Sequence, residues 1–150
     1  MLLAFAADGQ SPCRGPHAAA LALANDSLTR LVAVGFSNDT DAKPLYAHAL
    51  GTRALTAVYA LDRNRMSSHE RRCVRDVLAV AGQRLGDWQG DDGGCGYVPR
   101  APRSASSCTL FAAAALTDLR DAGLLDGAGT SSRAGRSLAS ARALATRSHV

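Results

Sequence analysis

The clearest hydrophobic pattern in the sequence begins after Ser67. Ser67 and Glu70 form a capping-box motif, in which the serine hydroxyl accepts a hydrogen bond from the backbone three residues on and the glutamate reaches back. Apolar residues then recur on one helical face at Val74, Val77, Leu78, Ala81 and Leu85. The pattern predicts a surface helix that packs on a core and ends at Gly86.

A second helix is predicted from about Cys108, with Ser106 or Ser107 as its N-cap. The alanine run favours helix, and the expected inner face consists of Ala112, Ala115, Leu116 and Leu119. Gly123 is the expected end of this helix, and Leu124 is placed to pack back against it. The intervening residues 89–107 are rich in glycine, proline and serine, which predicts an irregular loop.

The first 66 residues carry shorter and more mixed patterns. The apolar runs Leu2–Ala7 and Leu31–Phe36 each predict a short buried strand. A helix is predicted between them, from Pro16 to about Ala24. The segment Leu45–Leu61 fits a helical stripe and a strand alternation equally well, and we favour helix at its start.

Two further elements are predicted after Gly123, a flexible loop over Asp126–Gly135 and a final helix over Ser137–Arg147. All the elements together predict a fold that is mostly α with a minor β component. The length of 150 residues suits one compact helical domain that covers 1–150.

Positive charge is spread unevenly along the chain. The 17 basic residues exceed the 13 acidic ones, and the net charge of +4 comes from residues 97–150, which carry seven basic and three acidic side chains. Lys43 is the only lysine, and the other basic residues are arginines. Arginine makes bidentate contacts with phosphate, although a GC-rich coding sequence also enriches it. The distribution indicates an anionic partner, nucleic acid before membrane.

The sequence predicts a cytoplasmic protein with no membrane partner. No apolar run approaches the roughly 20 residues that span a bilayer, and the apolar start at Met1–Ala7 lacks the basic residues of a signal peptide. Asn25-Asp-Ser27 and Asn38-Asp-Thr40 match the glycosylation sequon, which keeps secretion as the alternative.

Residues that carry chemistry are scattered. The four cysteines form no C-x-x-C motif, so we expect reduced thiols. Two cysteine–histidine pairs, Cys13 with His17 and His69 with Cys73, have helical i,i+4 spacing but not the spacing of a zinc finger. Cys95 lies in a glycine-rich loop and would need a distant base such as His48 to act as a nucleophile. We predict no metal, no cofactor and no catalytic residue.

The run Leu116–Leu125, with the sequence L-T-D-L-R-D-A-G-L-L, resembles the end of the recognition helix in winged helix-turn-helix DNA-binding domains. That family shows L-x-x-L-x-x-x-G-L before a basic wing, which corresponds here to Asp126–Arg136. The resemblance covers about half of the chain. It implies an α/β companion region at 1–66 and a winged-helix-like region at 67–150. The middle helix of the family has no clear counterpart between Pro99 and Ser107.

The resemblance implies a DNA-binding transcription regulator. It places residues near Ser106, Ser107 and Thr109 in the major groove, and a basic wing on phosphate or the minor groove. The arginines predicted to contact phosphate, with an affinity that falls as salt rises, are Arg100, Arg103, Arg120, Arg133 and Arg136.

Our prediction from the sequence is therefore a small nucleic-acid-binding regulator. The alternative is a non-catalytic protein–protein interaction subunit, whose partner is another protein or a second copy of this chain in a homodimer. An enzyme of unknown class ranks third, because no residue pattern argues for one.

Overall fold

The described part of the chain folds mainly into helices. The computed structural model describes residues 1–35 and 44–125. Within these ranges the elements, in chain order, are α1 (Leu2–Ala7), α2 (Ala18–Val34), α3 (Pro44–Asp62), α4 (Ser68–Asp87) and α5 (Ser106–Asp121). The predicted α class is confirmed. The predicted flexible loop and final helix after Asp126 lie outside the described residues.

Helix α3 is the centre of the fold, because each of the other four helices packs against it. Eleven of its 19 residues are buried, on several faces of the helix. Leu45, Leu55 and Val58 supply the large side chains, while alanine, glycine and threonine occupy much of the rest. Burial on several faces places this helix inside the protein. The segment that fitted helix and strand equally well is therefore one continuous helix.

Helix α4 matches its prediction closely. The Ser67 hydroxyl accepts a hydrogen bond from the Glu70 backbone N–H at 3.2 Å, and the Glu70 carboxylate accepts one from the Ser67 N–H at 2.8 Å. Leu78, Ala81 and Leu85 are fully buried against the core. The helix ends one residue after the predicted stop, because Gly86 is itself buried within its last turn.

Helix α5 has the predicted inner face and the predicted end. Ala112, Ala115, Leu116 and Leu119 are fully buried. Gly123 adopts a φ of +72°, and the next residue, Leu124, donates its N–H to the Leu119 carbonyl at 2.9 Å and packs on the core. The start differs from the prediction: Ala105 is the N-cap, with no side-chain capping bond, and Ser106 and Ser107 are the first helical residues.

Both predicted strands are helical, so those two predictions are wrong. Leu2–Ala7 forms α1, whose half-buried positions 2, 3, 5 and 6 follow helical spacing. Leu31–Val34 forms the last turn of α2. A strand without a partner leaves backbone groups unpaired, whereas a helix pairs them internally. The minor β component within the described ranges consists of two isolated bridges, Ser11 with Arg14 and Gln89 with Cys95.

Helix α2 runs ten residues beyond its predicted end at Ala24. Its polar stretch is held within the helix, because the Thr29 hydroxyl donates to the Asn25 carbonyl at 2.7 Å and Arg30 pairs with Asp26 at 2.7 Å. Both contacts have the i,i+4 spacing of neighbours on a helix. The sequon at Asn25 is therefore part of a helix.

The loop between α4 and α5 is tightly folded, and it contains no helix. The Asp92 carboxylate accepts hydrogen bonds from the Ser104 and Gly94 N–H groups, both at 3.1 Å, and these bonds lower the pKa of Asp92. Gly96 is buried, and a Cβ there would lie 3.0 Å from the Arg103 carbonyl oxygen. The middle helix of a winged-helix domain is thus absent from this described stretch.

The capping box of α4 provides a direct test of the fold. We expect Ser67→Ala to lower the free energy of unfolding by about 1 kcal/mol, because the Glu70 N–H loses its acceptor. Ser68→Ala is the matched control, and it should change that free energy by less than about 0.5 kcal/mol, as an exposed substitution without a capping role does. Urea denaturation measures both. Equal losses in the two variants would contradict the assigned cap.

The buried imidazole of His48 on α3 predicts a pH dependence of stability. Its side chain is 4% exposed, its Nε2 lies 3.2 Å from the Ala81 carbonyl oxygen, and burial lowers its pKa below the ordinary value. The unfolded chain therefore binds the proton more readily, so stability is complete above about pH 7 and falls as the pH drops, by up to about 1.4 kcal/mol per pH unit. Urea denaturation between about pH 5 and 8 should show this loss in the wild type and not in His48→Gln. If the free energy of unfolding of His48→Gln fell with decreasing pH as steeply as that of the wild type, the assignment to His48 would be wrong.

Candidate nucleic-acid interface

Positive charge gathers along one side of the first half of α4. Arg71, Arg72 and Arg75 occupy the first two turns after the capping box, at the edge of the buried stripe, because buried Leu78 and Gly82 continue the helical row of Arg71 and Arg75. Their i, i+1 and i+4 spacing keeps them within an arc of about 100° on the helix. Arg72 and Arg75 are exposed and Arg71 is half-buried. The three side chains therefore present their charge to the same side of the molecule.

These arginines line one open groove, which we call the α4 groove and define by Arg71, Arg72, Arg75, Asp76 and Leu124. Its volume is about 530 Å³. Leu124, which follows the turn at Gly123 after α5, also lines the groove, so two separate segments of the chain form it.

The guanidinium groups of the α4 groove form no ion pair with any acid that the structure describes. Within the described ranges the ion pairs join Arg30 to Asp26, Arg53 to Asp118 and Arg120 to Asp121. Among nearby acids, Glu70 is held by its capping bonds, which lower its pKa, and Asp76 lines the groove without pairing. The three arginines therefore keep their donors for an external anion.

The turn before α4 adds two more exposed arginines, Arg63 and Arg65. Arg65 makes one long contact with the Leu61 carbonyl oxygen, at 3.5 Å. Thirteen consecutive residues, 63–75, thus carry five arginines and a single acid. The segment that leads into the α4 groove is therefore strongly basic in sequence.

The predicted contacts at the start of α5 have mixed positions. Arg100 and Arg103 are exposed on the α4–α5 loop, and Arg100 has a φ of +53°. Ser106 and Ser107 are also exposed, although the Ser107 hydroxyl already accepts a hydrogen bond from the Tyr46 hydroxyl at 2.6 Å. All four residues are therefore accessible to solvent.

Thr109 is a correction to the predicted set. Its side chain is 0% exposed. The hydroxyl accepts a hydrogen bond from the Cys95 N–H at 2.9 Å and donates to the Ala105 carbonyl at 3.0 Å. Thr109 therefore fixes the α4–α5 loop onto α5 and does not reach a ligand in a groove of nucleic acid.

Arg120 lies far from the predicted contacts at the start of α5. Fourteen residues separate it from Ser106 along α5, a distance of about 21 Å at 1.5 Å per residue. Its guanidinium also makes two bonds to Asp121, at 3.0 and 2.8 Å. Arg133 and Arg136 lie outside the described residues. The predicted set is thus divided, and the α4 groove takes its place as the candidate interface.

Sequence reasoning missed the α4 groove although its signal was present. We considered the charge of residues 97–150 and did not map the arginines of residues 67–96 onto the predicted helix, where Asp87, Asp91 and Asp92 offset them in a simple count. In the structure those acids lie at the other end of α4 or beyond it. The spacing of Arg71, Arg72 and Arg75 on the predicted helix indicates the arginine cluster, but it does not indicate that Leu124 completes the groove.

The cysteine hypotheses lack supporting geometry. Cys95 and Cys108 are fully buried in the core, so Cys95 is not accessible as a nucleophile. Cys13 is exposed, but partial burial and a hydrogen bond with Asp62 raise the pKa of its thiol. The His69 Nε2 and Cys73 Sγ atoms are 3.7 Å apart, and no third ligand joins any such pair among the described residues.

No helix among the described residues is long and apolar enough to cross a bilayer.

Comparison with known proteins adds no relative to this picture. No protein-family model matches the sequence, and no curated protein or solved structure is detectably similar to it.

Proposed function

We propose that the protein binds nucleic acid, and that the α4 groove grips the phosphate backbone. The observation that carries the proposal is that Arg71, Arg72 and Arg75 line one open groove and none of them forms an ion pair among the described residues. Guanidinium groups match phosphate geometry and hold it bidentately. The proposed function class is the one expected from the sequence, but the proposed phosphate-binding surface is on α4 and not on α5.

The chain that follows the groove supports the same proposal. Leu124 lines the groove, and the sequence beyond it, residues 126–150, carries four arginines and one acid. Added positive charge on the same chain strengthens the attraction for a polyanion and speeds encounter. Contacts of this kind hold the backbone without reading base sequence. We therefore expect binding with little sequence preference.

Salt titration tests the proposal quantitatively. Three phosphate contacts should give a plot of log K against log salt with a slope near −2.7 for duplex DNA, or about a 40-fold loss of affinity between about 50 and 200 mM salt. Fluorescence anisotropy of a short mixed-sequence duplex measures this. The triple variant Arg71→Gln, Arg72→Gln, Arg75→Gln should lose most of this slope and bind at least about tenfold more weakly at low salt.

The matched control carries the double substitution Arg100→Gln and Arg103→Gln on the α4–α5 loop. Under the proposal this control keeps the wild-type slope, because those arginines lie outside the α4 groove. The reverse outcome, with the slope lost in the loop variant and kept in the groove variant, would move the interface to the start of α5. Salt-independent binding, or none, would end the nucleic-acid proposal.

A different surface favours the second candidate function, a protein–protein interaction subunit. Met1, Leu31 and Leu50 line an open apolar groove of about 480 Å³ between α1, α2 and α3. These side chains are 84%, 50% and 41% exposed, and Leu23 on α2 is 74% exposed. Adjacent exposed apolar side chains of this size mark contact surfaces. We propose a second copy of this chain as the partner.

Self-association through this apolar groove is directly measurable. We expect the wild-type protein to sediment as a dimer and Leu31→Glu as a monomer, because a buried unpaired carboxylate is costly at an interface. Val80→Glu, on the exposed side of α4, is the matched control, and it should remain dimeric. A monomeric wild-type protein at all concentrations would contradict the homodimer.

A further inference from the structure

We propose that a cleft at the far end of α4 binds a small carboxylate with a flat apolar body. The cleft lies between the end of α2, the start of α3 and the last turn of α4, and we call it the Arg84 cleft. Its volume is about 260 Å³, and its lining includes Val34, Pro44, His48, Arg84, Trp88 and Pro99. This site is separate from the α4 groove and from the function proposed for it.

The walls of the Arg84 cleft are mainly apolar. Val34, Pro44 and Pro99 contribute aliphatic surface, and Trp88 contributes a flat aromatic side chain. Ligand sites commonly combine apolar walls with a few polar groups that fix orientation, and they are usually somewhat larger than this one. A ligand of about ten non-hydrogen atoms matches this volume better than a nucleotide does.

Arg84 supplies the positive charge. Its guanidinium is half-buried and donates one hydrogen bond, from Nη1 to the Val32 carbonyl at 3.2 Å. The group lies against Gly35, where φ is +86° and a Cβ would be only 2.9 Å from Nη1. The absence of a side chain at Gly35 therefore leaves the space that the guanidinium occupies. Arg84 forms no ion pair with a described acid, so most of its five N–H donors stay available.

Two other ionisable groups line the described part of the cleft. His48 is a buried imidazole, and its lowered pKa keeps it neutral near pH 7. Asp87 is an exposed carboxylate. The mainly apolar walls favour a carboxylate on an apolar body over phosphate, because phosphate is more strongly hydrated and would lose more hydration there. A carboxylate meets the planar fork of arginine bidentately, and an aromatic body packs on Trp88.

The test uses Trp88 itself, which is the only tryptophan in the chain. Phenylacetate is the probe, and phenylacetamide, its neutral analogue, and inorganic phosphate are the comparison compounds. We expect phenylacetate to change the Trp88 fluorescence with a Kd of about 1 mM. Phenylacetamide should bind at least about tenfold more weakly, because hydrogen bonds to charged groups are the stronger ones. Phosphate should leave the signal unchanged over the same range.

Two sets of variants separate binding from folding. Arg84→Gln should raise the Kd for phenylacetate at least about tenfold, with circular dichroism to check that the helices persist. Because Arg84 also bonds to Val32, a second pair leaves it in place: Val34→Asp adds a charge to the wall, and Val34→Asn is the neutral match. Val34 is 74% exposed, so both variants should fold.

The expected result is weaker binding in Val34→Asp and wild-type binding in Val34→Asn. Equal affinity for phenylacetate and phenylacetamide would overturn the proposal. Equal affinity of the two Val34 variants for phenylacetate would also overturn it, as would Trp88 fluorescence that does not change when phenylacetate is added. DNA binding by the α4 groove is measured separately. The triple arginine variant should lose DNA binding and still bind phenylacetate with wild-type affinity, so the two proposals can fail independently.

Discussion

Enclosure of α3 by the four other described helices is the constraint on which the rest of the structure depends. A helix can be surrounded only if its neighbours approach closely, and Ala49, Gly51 and Ala54 leave the space for that. Its buried hydroxyls must also be paired. Thr52 donates to the His48 carbonyl and Thr56 to the Thr52 carbonyl, both at 2.8 Å, so neither needs a partner outside the helix.

Helix α3 forms the centre of the fold, and α4 packs against the core along only one of its faces. Its inner residues Leu78, Ala81 and Leu85 dock on the core, and its outer face remains in solvent. The same helix therefore carries a basic groove near its start and the Arg84 cleft near its end. Both surfaces are built from arginines projecting from a backbone that packing already holds in place, so neither depends on a loop for its main charge.

Sequence patterns predicted the parts of this fold whose signals are local. The capping box at Ser67 and the glycine end of α5 are set by a few neighbouring residues, and both were predicted correctly. Leu2–Ala7 and α3 were harder, because apolar runs do not show whether a sheet exists to receive a strand. The α4 groove and the burial of Thr109 depend on contacts between distant segments, so composition and spacing alone did not place them.

The crowded surroundings of α3 also limit how this protein can diverge. Larger side chains at Ala49 or Ala54 would push neighbouring helices apart, and overpacking of that kind destabilises a core. The outward residues of α2 and α4 face no such restriction. Homologous chains should therefore keep small residues along α3, while the surface residues of their outer helices vary in sequence. A homologue could in this way acquire a new binding partner without a change in the helical core.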